Sequence, residues 1–491
     1  MTKTISILHI SDLHRSKGHE IDNSSLLTSL IDDRHRYTTK ETPKIKSPDL
    51  IIASGDIIRG SSSKTSSDDE INEQYNQALE FLNSLTKEFL GGNKSRLIVI
   101  PGNHDVDWKY SKESMIKVPS DKFLEPSNTL KWEYLDASIN QQSTTRWSWK
   151  DLSFYEISDK DKYNKRLEAF SKFYLELYEG SRTYNLDPRE QFDIFDIKEL
   201  GITIAAYNSC FNNDHLRKSG DIHPECISKA HLQLRDYISK GRLILGTWHH
   251  NTKGPPHHYD YMDSNRLKNF INSGIAIGFH GHQHKMELIS EYSNVIEQKR
   301  IVVFSAGTLC GGQDELPTGN NRQYNLIELN WKEESEIIDV TLHVREKTES
   351  SPFENPIWTP GRIDSSLVSH YTVKIEKPIS ENTLSTLIEI EGLIKQKEYK
   401  DAQAQLVLMD MDNDFVRKFF VECVIQTEDF EAALLYLSNP RNDGETTTLI
   451  NSAIQLGDKH KMKIVIERVK SISTSNPIIK ELIKKLEASS K

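Results

Sequence analysis

Residues 97–105, LIVIPGNHD, decide the reading of this chain. Leu97–Ile100 is a continuous apolar run rich in β-branched side chains, which reads as a buried strand, and Pro101-Gly102 ends it in a tight turn. The turn then offers an amide, an imidazole and a carboxylate in succession at Asn103, His104 and Asp105. Working outward, the same construction recurs. Ile5–Ile10 runs into Ser11-Asp12-Leu13-His14, and Leu50–Ala53 runs into Gly55-Asp56. Further on, Leu243–Leu245 leads to Trp248-His249-His250 and Ile275–Phe279 to Gly281-His282-Gln283-His284. Between the second and third of these strands, Ile71, Tyr75, Leu79, Leu82 and Leu85 stand at helical spacing. Apolar strands feeding polar loops, with a helix between, describe an α/β domain whose site lies beyond its strand ends. Further strands are expected at Ile202–Tyr207 and Ile301–Phe304, and an antiparallel pair at Tyr324–Leu329 and Ile337–Val344 closes the sheet.

The five motifs supply Asp, His, Asp, Asn, His, His and His. Mixed carboxylate, amide and imidazole donors suit borderline divalent cations such as Mn, Fe, Zn or Ni. Seven donors crowd one ion, whereas two ions sharing a carboxylate are each well served. A pair of cations can acidify a water and neutralise an anionic group bound beside it.

The ordered set D-x-H, G-D, G-N-H-D, H and G-H-x-H resembles the calcineurin-like metallophosphoesterase superfamily, over roughly residues 1–345. The resemblance implies a four-layer αββα sandwich and a dinuclear centre. By motif, it assigns Asp12, His14, Asp56 and His284 to a first ion. Asp56, Asn103, His249 and His282 go to a second, which makes Asp56 the bridge. His104 becomes the group beside the scissile phosphate and Asp105 the residue that orients it. Of the adjacent pair, the family pattern selects His249 as ligand and leaves His250 to face substrate. The cofactors implied are two divalent ions, Mn foremost, with Fe, Zn or Ni as alternatives. The segment His9–His14 together with a full Gly-His-x-His looks most like the phosphodiesterase and nuclease branches. A phosphodiester substrate, in nucleic acid or a nucleotide, is therefore expected. A phosphomonoesterase or protein phosphatase, or a silent scaffold, is the alternative.

Composition bounds the partners. The 491 residues carry 62 basic and 72 acidic side chains, a formal charge of −10, so any polynucleotide contact must come from a local patch or from bound metal. Four cysteines without CxxC spacing suit a reducing compartment. The chain enters its first strand without a leader-like segment, and no apolar run reaches membrane length. A soluble cytoplasmic protein with no membrane contact is expected.

Length predicts more than one domain. Residues 107–200 break the strand–helix rhythm and read as a helical insertion, over the site or beside it, with a helix around Tyr163–Tyr178. Residues 346–379, with Pro352, Pro356 and Pro360, read as a linker or an ordered arm. From residue 380 to 491 every strong pattern is helical. Glu398–Leu406 and Asp429–Leu437 resemble each other 31 residues apart, which suggests a short array resembling tetratricopeptide repeats. Over 371–491 there are 17 Lys and Arg against 19 Asp and Glu, a balance that favours a protein partner or self-association.

Other residues have two readings. His257 and His258 line the cleft or sit in a solvated loop. His280 is a packed residue behind the site. Asn208 is a site wall or a turn cap, and Arg59 and Arg217 bind phosphate or make surface ion pairs. Ser61–Ser67 reads as a polar loop, and Trp132, Trp147 and Trp149 as the insertion's own core rather than a stacking surface.

Overall fold

The computed structural model describes residues 2–490 apart from 18–20, 61–67, 141–142, 254–260, 295–298, 313–315, 318, 333–334, 336, 349–356, 364–367, 377–380, 410, 412 and 471–475. His257, His258 and the Ser61–Ser67 loop lie outside the described residues. Residues up to Lys332 with Ile337–Pro378 form one compact unit, and Ile379–Lys491 belong to a second.

In the first unit β1 (Thr2–Ile10), β2 (Leu50–Ala53) and β3 (Leu97–Val99) run parallel as neighbours. The four residues of β2 are all buried, as expected of a strand covered on both faces. Next come β4 (Met115–Lys117), β5 (Thr145–Ser148) and β6 (Ser153–Ile157), a separate three-stranded antiparallel sheet in the order β4-β6-β5.

The second large sheet holds β7 (Phe192–Ile197), β8 (Ile202–Tyr207), β9 (Leu243–Thr247), β10 (Ile277–His280), β11 (Glu287–Asn294) and β12 (Lys299–Ser305). Its order is β11-β12-β10-β9-β8-β7, parallel through β8, β9, β10 and β12. The chain then returns to the first sheet with β13 (Gln323–Lys332) and β14 (Ile337–Lys347). There β15 (Trp358–Pro360) and β16 (His370–Glu376) pair with successive parts of β14.

Side-chain alternation makes this a layered sandwich. Ile202, Ile204 and Ala206 share a core with Ile5, Ile7 and the other residues of the first sheet. Ala205 and Tyr207 face the opposite way, onto the helices Pro224–Ser239 and Asn265–Asn272 through Ala230, Leu234, Leu267 and Phe270. Leu26, Leu30, Phe81 and Leu82, on the helices Asn23–Thr39 and Asp68–Leu90, complete the main core. The layers are thus helix, sheet, sheet, helix. A buried ion pair reinforces them, with Arg345 of β14 bridging Asp33 and Glu41 while Tyr324 donates to Asp33.

Three expectations need correction. The segment 107–200 is not simply helical, because it contains β4 to β6, and β7 belongs to the second large sheet. These strands are short and partly exposed, so they lack the continuous apolar run that marks β2 and β3. The expected helix at 163–178 is divided into Lys160–Asn164, a tight turn, and Glu168–Leu177. Its apolar face joins the main core through Phe170, Tyr174 and Leu177. The three tryptophans also part company. Trp147 packs against a small core of Val118, Phe123 and Phe154, but Trp132 and Trp149 are 72% and 79% exposed.

In the second unit the helices are Glu381–Lys395, Tyr399–Leu406, Asp414–Thr427, Phe430–Tyr436, Asp443–Leu456, Lys459–Lys470 and Pro477–Ser489. Left-handed residues Lys397, Glu428 and Gly457 stand in three of the short turns between them. One apolar cluster centres on Ile390, Leu406, Phe420 and Leu437, and another on Leu449, Ala453, Val465 and Leu486. No helix among the described residues is long and apolar enough to cross a membrane.

Candidate metal centre

Every motif residue stands just beyond the carboxyl end of a parallel strand. Asp12 and His14 follow β1, Asp56 follows β2 and Asn103 follows β3, while His249 follows β9 and His282 and His284 follow β10. Loops from both large sheets therefore meet at one end of the sandwich.

Their backbone is strained. Among the described residues ten non-glycine positions have positive φ, and five of them are Asp12, His14, Asp56, His282 and His284, at 45° to 74°. L-residues visit this region rarely, and it is held only where surrounding structure enforces it. Here the enforcement is explicit. The backbone N–H of Asp12 donates to the Gly55 carbonyl at 3.1 Å and that of His14 to the Asp56 carbonyl at 3.0 Å.

Three groups of ligand atoms result, the atoms of each mutually within 4.8 Å. Asp12, His14 and His284 form the first cluster and Asp56, His249 and His282 the second, while a third group, His14, Asp56 and His104, shares one residue with each. In the first, His284 Nε2 lies 3.2 Å from Asp12 Oδ1, and His14 Nε2 lies 3.9 Å from both Asp12 and Asp56. In the second, His249 Nε2 is 3.2 Å from Asp56 Oδ2. Asn103 Oδ1 sits between the second cluster's rings, 2.9 Å from His249 Nε2 and 2.8 Å from His282 Nδ1. Asp56 touches both clusters. All seven ligand candidates from the sequence are thus brought together.

The glycines of the motifs make room for this approach. A Cβ at Gly102 would lie 2.1 Å from Asp56 Oδ1, and one at Gly281 would lie 1.8 Å from Ser11 Oγ. Gly55, at φ 99°, lies so close to the ring of His249 that a Cβ would meet Nδ1 at 2.4 Å.

Donor chemistry fits divalent cations. His249 directs Nδ1 at the Ser54 carbonyl, 2.8 Å away, so Nδ1 carries the proton and the Nε2 lone pair faces Asp56 and Asn103. Several lone pairs converging on buried carboxylates require positive charge among them. Without metal the histidines supply it. Burial disfavours a charged His249, yet the adjoining Asp56 carboxylate prevails and raises it to about 9. Burial likewise opposes ionisation of Asp12, but the neighbouring His284 and His14 imidazoles hold its carboxyl well below the usual range.

His104 occupies the mouth of the site. Its ring packs edge-on to His14 with centroids 4.6 Å apart, and its backbone N–H donates to Asp56 Oδ1 at 2.8 Å. Its Nδ1 lies 2.6 Å from the Arg59 carbonyl. That contact corrects the expected role of Asp105, whose carboxylate does not orient His104. Asp105 accepts instead from the Gly102 and Ile57 backbone N–H groups, at 2.8 and 3.1 Å, and from the Tyr75 hydroxyl at 3.0 Å. It anchors the turn, and burial, with Asp56 nearby, raises it to about 7.

The remaining candidates resolve into structural parts. His280 is buried, its Nδ1 lies 3.0 Å from the Gly281 carbonyl, and burial lowers it to about 4. Asn208 caps a turn, accepting from the Cys210 N–H at 2.8 Å. Arg217 donates to the Ser138 carbonyl at 2.8 Å rather than standing free at the surface. Arg59 is exposed and meets the site through its carbonyl. Sequence reasoning missed Ser54, Arg59 as a backbone acceptor, and Ser209, which touches His249 and His250. Backbone carbonyls carry no sequence signal, and nothing in Asn208-Ser209-Cys210 distinguishes a serine that supports a ligand.

A two-sheet α/β sandwich that gathers carboxylates, imidazoles and an amide at its strand ends defines a metal-dependent phosphoester hydrolase. The profile of the calcineurin-like phosphoesterases matches residues 5–286, more than half of the sequence, and the chain belongs to that family. Among solved structures it is similar to a dimetal phosphatase from Danio rerio, with 8% identity over 70% of this chain and 96% of that one, at a TM-score of 0.35. It is also similar to the calcineurin-like phosphoesterase YfkN from Bacillus subtilis, with 12% identity over 79% and 97% and a TM-score of 0.27. A Vps29 single mutant from Entamoeba histolytica matches with 9% identity over 76% and 99%, at 0.24. No curated protein matches the sequence.

Proposed function

We propose that this protein is a dinuclear-metal phosphodiesterase acting on nucleic acid or a nucleotide, with manganese the preferred ion, and that its helical unit mediates assembly. The observation that carries the proposal is the position of Asp56, whose carboxylate lies between the two ligand clusters. Asp12, His14, Asp56 and His284 would hold one cation, and Asp56, Asn103, His249 and His282 the other. When bound, such a pair supplies an acidified water and neutralises phosphate charge. The chain's own contribution begins with His104. The Arg59 carbonyl holds a proton on its Nδ1, so the proton available to a leaving oxygen is the Nε2 proton of the doubly protonated ring, and transfer leaves a neutral imidazole still bonded to Arg59.

The preference for a diester rests on the segment His9–His14 and the complete Gly281–His284 motif, which resemble the phosphodiesterase and nuclease branches. Assembly through the helical unit, with a protein partner or a second copy, is supported by side chains it leaves exposed, among them Leu408, Phe415, Ile425 and Leu435. A cytoplasmic setting is supported by four buried free cysteines.

The test is a substrate panel with Mn²⁺, comprising bis(p-nitrophenyl) phosphate, p-nitrophenyl phosphate, single- and double-stranded DNA, RNA, cyclic nucleotides and phosphopeptides. Diesters are expected to turn over faster than monoesters. Hydrolysis confined to monoesters or phosphopeptides would overturn the reading.

A further inference from the structure

Ser209 sits two residues beyond the end of β8 and is fully buried. Its position is fixed from outside the site, because its carbonyl accepts from the Asp221 N–H at 2.8 Å and Asp221 is paired with Arg266. Three groups converge on its single hydroxyl. The backbone N–H groups of His249 and His250 each lie 3.0 Å from Oγ, and the Nδ1 of His250 lies 2.9 Å from it.

A serine hydroxyl has two lone pairs and one hydrogen. Backbone N–H groups only donate, so the two of them occupy both lone pairs. The hydroxyl hydrogen is then left for His250 Nδ1, which must be bare. A neutral His250 consequently carries its proton on Nε2. This ring is fully buried, is seated so closely against Gly220 that a Cβ there would lie 2.2 Å from its Cγ, and lies tilted at 47° to the ring of His282 with centroids 4.6 Å apart. One oxygen atom therefore sets the backbone of the His249-His250 pair and the tautomer of the second ring.

We infer that Ser209 is a positioning residue for the second cation, acting through the backbone of His249 to aim that ligand and through its hydroxyl hydrogen to hold His250 as a neutral, Nε2-protonated imidazole. The inference rests on the two-metal reading of the site. Its selectivity is the distinctive part. Ser209 contacts the loop carrying His249, a second-cluster ligand, and makes no hydrogen bond to Asp12, His14 or His284. Outer partners of this kind are worth about 10- to 100-fold in metal affinity.

Equilibrium titration of the full chain with Mn²⁺ tests it, comparing wild type, Ser209→Ala and Ser209→Thr. Wild type should bind two ions. Ser209→Ala should weaken one of the two by about 10- to 100-fold while leaving the other unchanged, and Ser209→Thr, which keeps the hydroxyl, should recover most of the loss. Equal weakening of both ions, or of neither, overturns the inference. A wild type that binds fewer than two ions defeats the two-metal reading instead. Nitrogen-15 spectra of the Zn²⁺-loaded wild type, with His250 assigned by its loss in His250→Gln, give a readout that needs no Ser209 variant. A bare Nδ1 and a protonated Nε2 are expected, and a protonated Nδ1 refutes the lock.

Discussion

At the residue scale the centre is a convergence of left-handed turns, and its two most informative positions are Asp56 and His104. Because Asp56 touches both clusters, Asp56→Ala is expected to disrupt both metal sites and to abolish hydrolysis of bis(p-nitrophenyl) phosphate. Metal content after gel filtration checks this, and retention of both ions would contradict a shared carboxylate. His104→Ala should behave differently. It removes the proton donor but no assigned ligand, so kcat should fall by about 10²- to 10⁴-fold while metal content stays at the wild-type level. A parallel loss of metal would make His104 a ligand. Gly102→Ala places a methyl group against Asp56 and should reduce both metal binding and activity, as the same assays would show. The convergence of the seven candidate ligands was legible in the sequence because each follows an apolar strand, a pattern carried by side-chain type alone. The role of Asp105 was not, since its partners are two backbone N–H groups and a tyrosine 30 residues away.

At the element scale, the segment between β3 and β7 is fastened to the loop after β8 by buried charge. Arg146 of β5 donates to Asp214 at 2.7 Å, and Tyr163 donates to the same carboxylate. Burial opposes ionisation of Asp214, but Arg146 and Arg166 hold its carboxyl below the ordinary range. A carboxylate with a lowered folded-state pKa contributes stability that is complete above its unfolded value of about 3.9 and drains away as pH falls through the folded value. Asp214→Asn should therefore destabilise the unit by about 3–5 kcal/mol at pH 7 and flatten the loss of Tm as pH falls below about 4. Thermal melts across that range decide it, and identical acid profiles would show that the pair does no such work. These elements also mark where sequence patterning fails. β4 to β6 are short and interleaved with aromatic helices, and β15 is a three-residue edge strand ending in Pro360 after a proline-bearing stretch that reads as linker. Edge pairing depends on a neighbour, here β14, rather than on the strand's own composition. The buried strands β1, β2 and β8 were legible because burial on both faces writes itself as continuous apolar sequence, even over the four residues of β2.

At the scale of the whole molecule, the two compact units have separate apolar cores. Removing residues 380–491 should leave hydrolysis of a small diester close to the wild-type rate while altering oligomeric state or partner capture. Kinetics and light scattering on the truncated chain check both halves, and lost catalysis in a folded truncation would mean that the helices complete the site. The central claim is narrower and can be tested directly. Crystals soaked in Mn²⁺ and measured at the manganese absorption edge should show two anomalous peaks about 3.5–4 Å apart, with Asp56 ligating both. A single peak, or ions bound away from Asp12, Asp56 and His249, would contradict it.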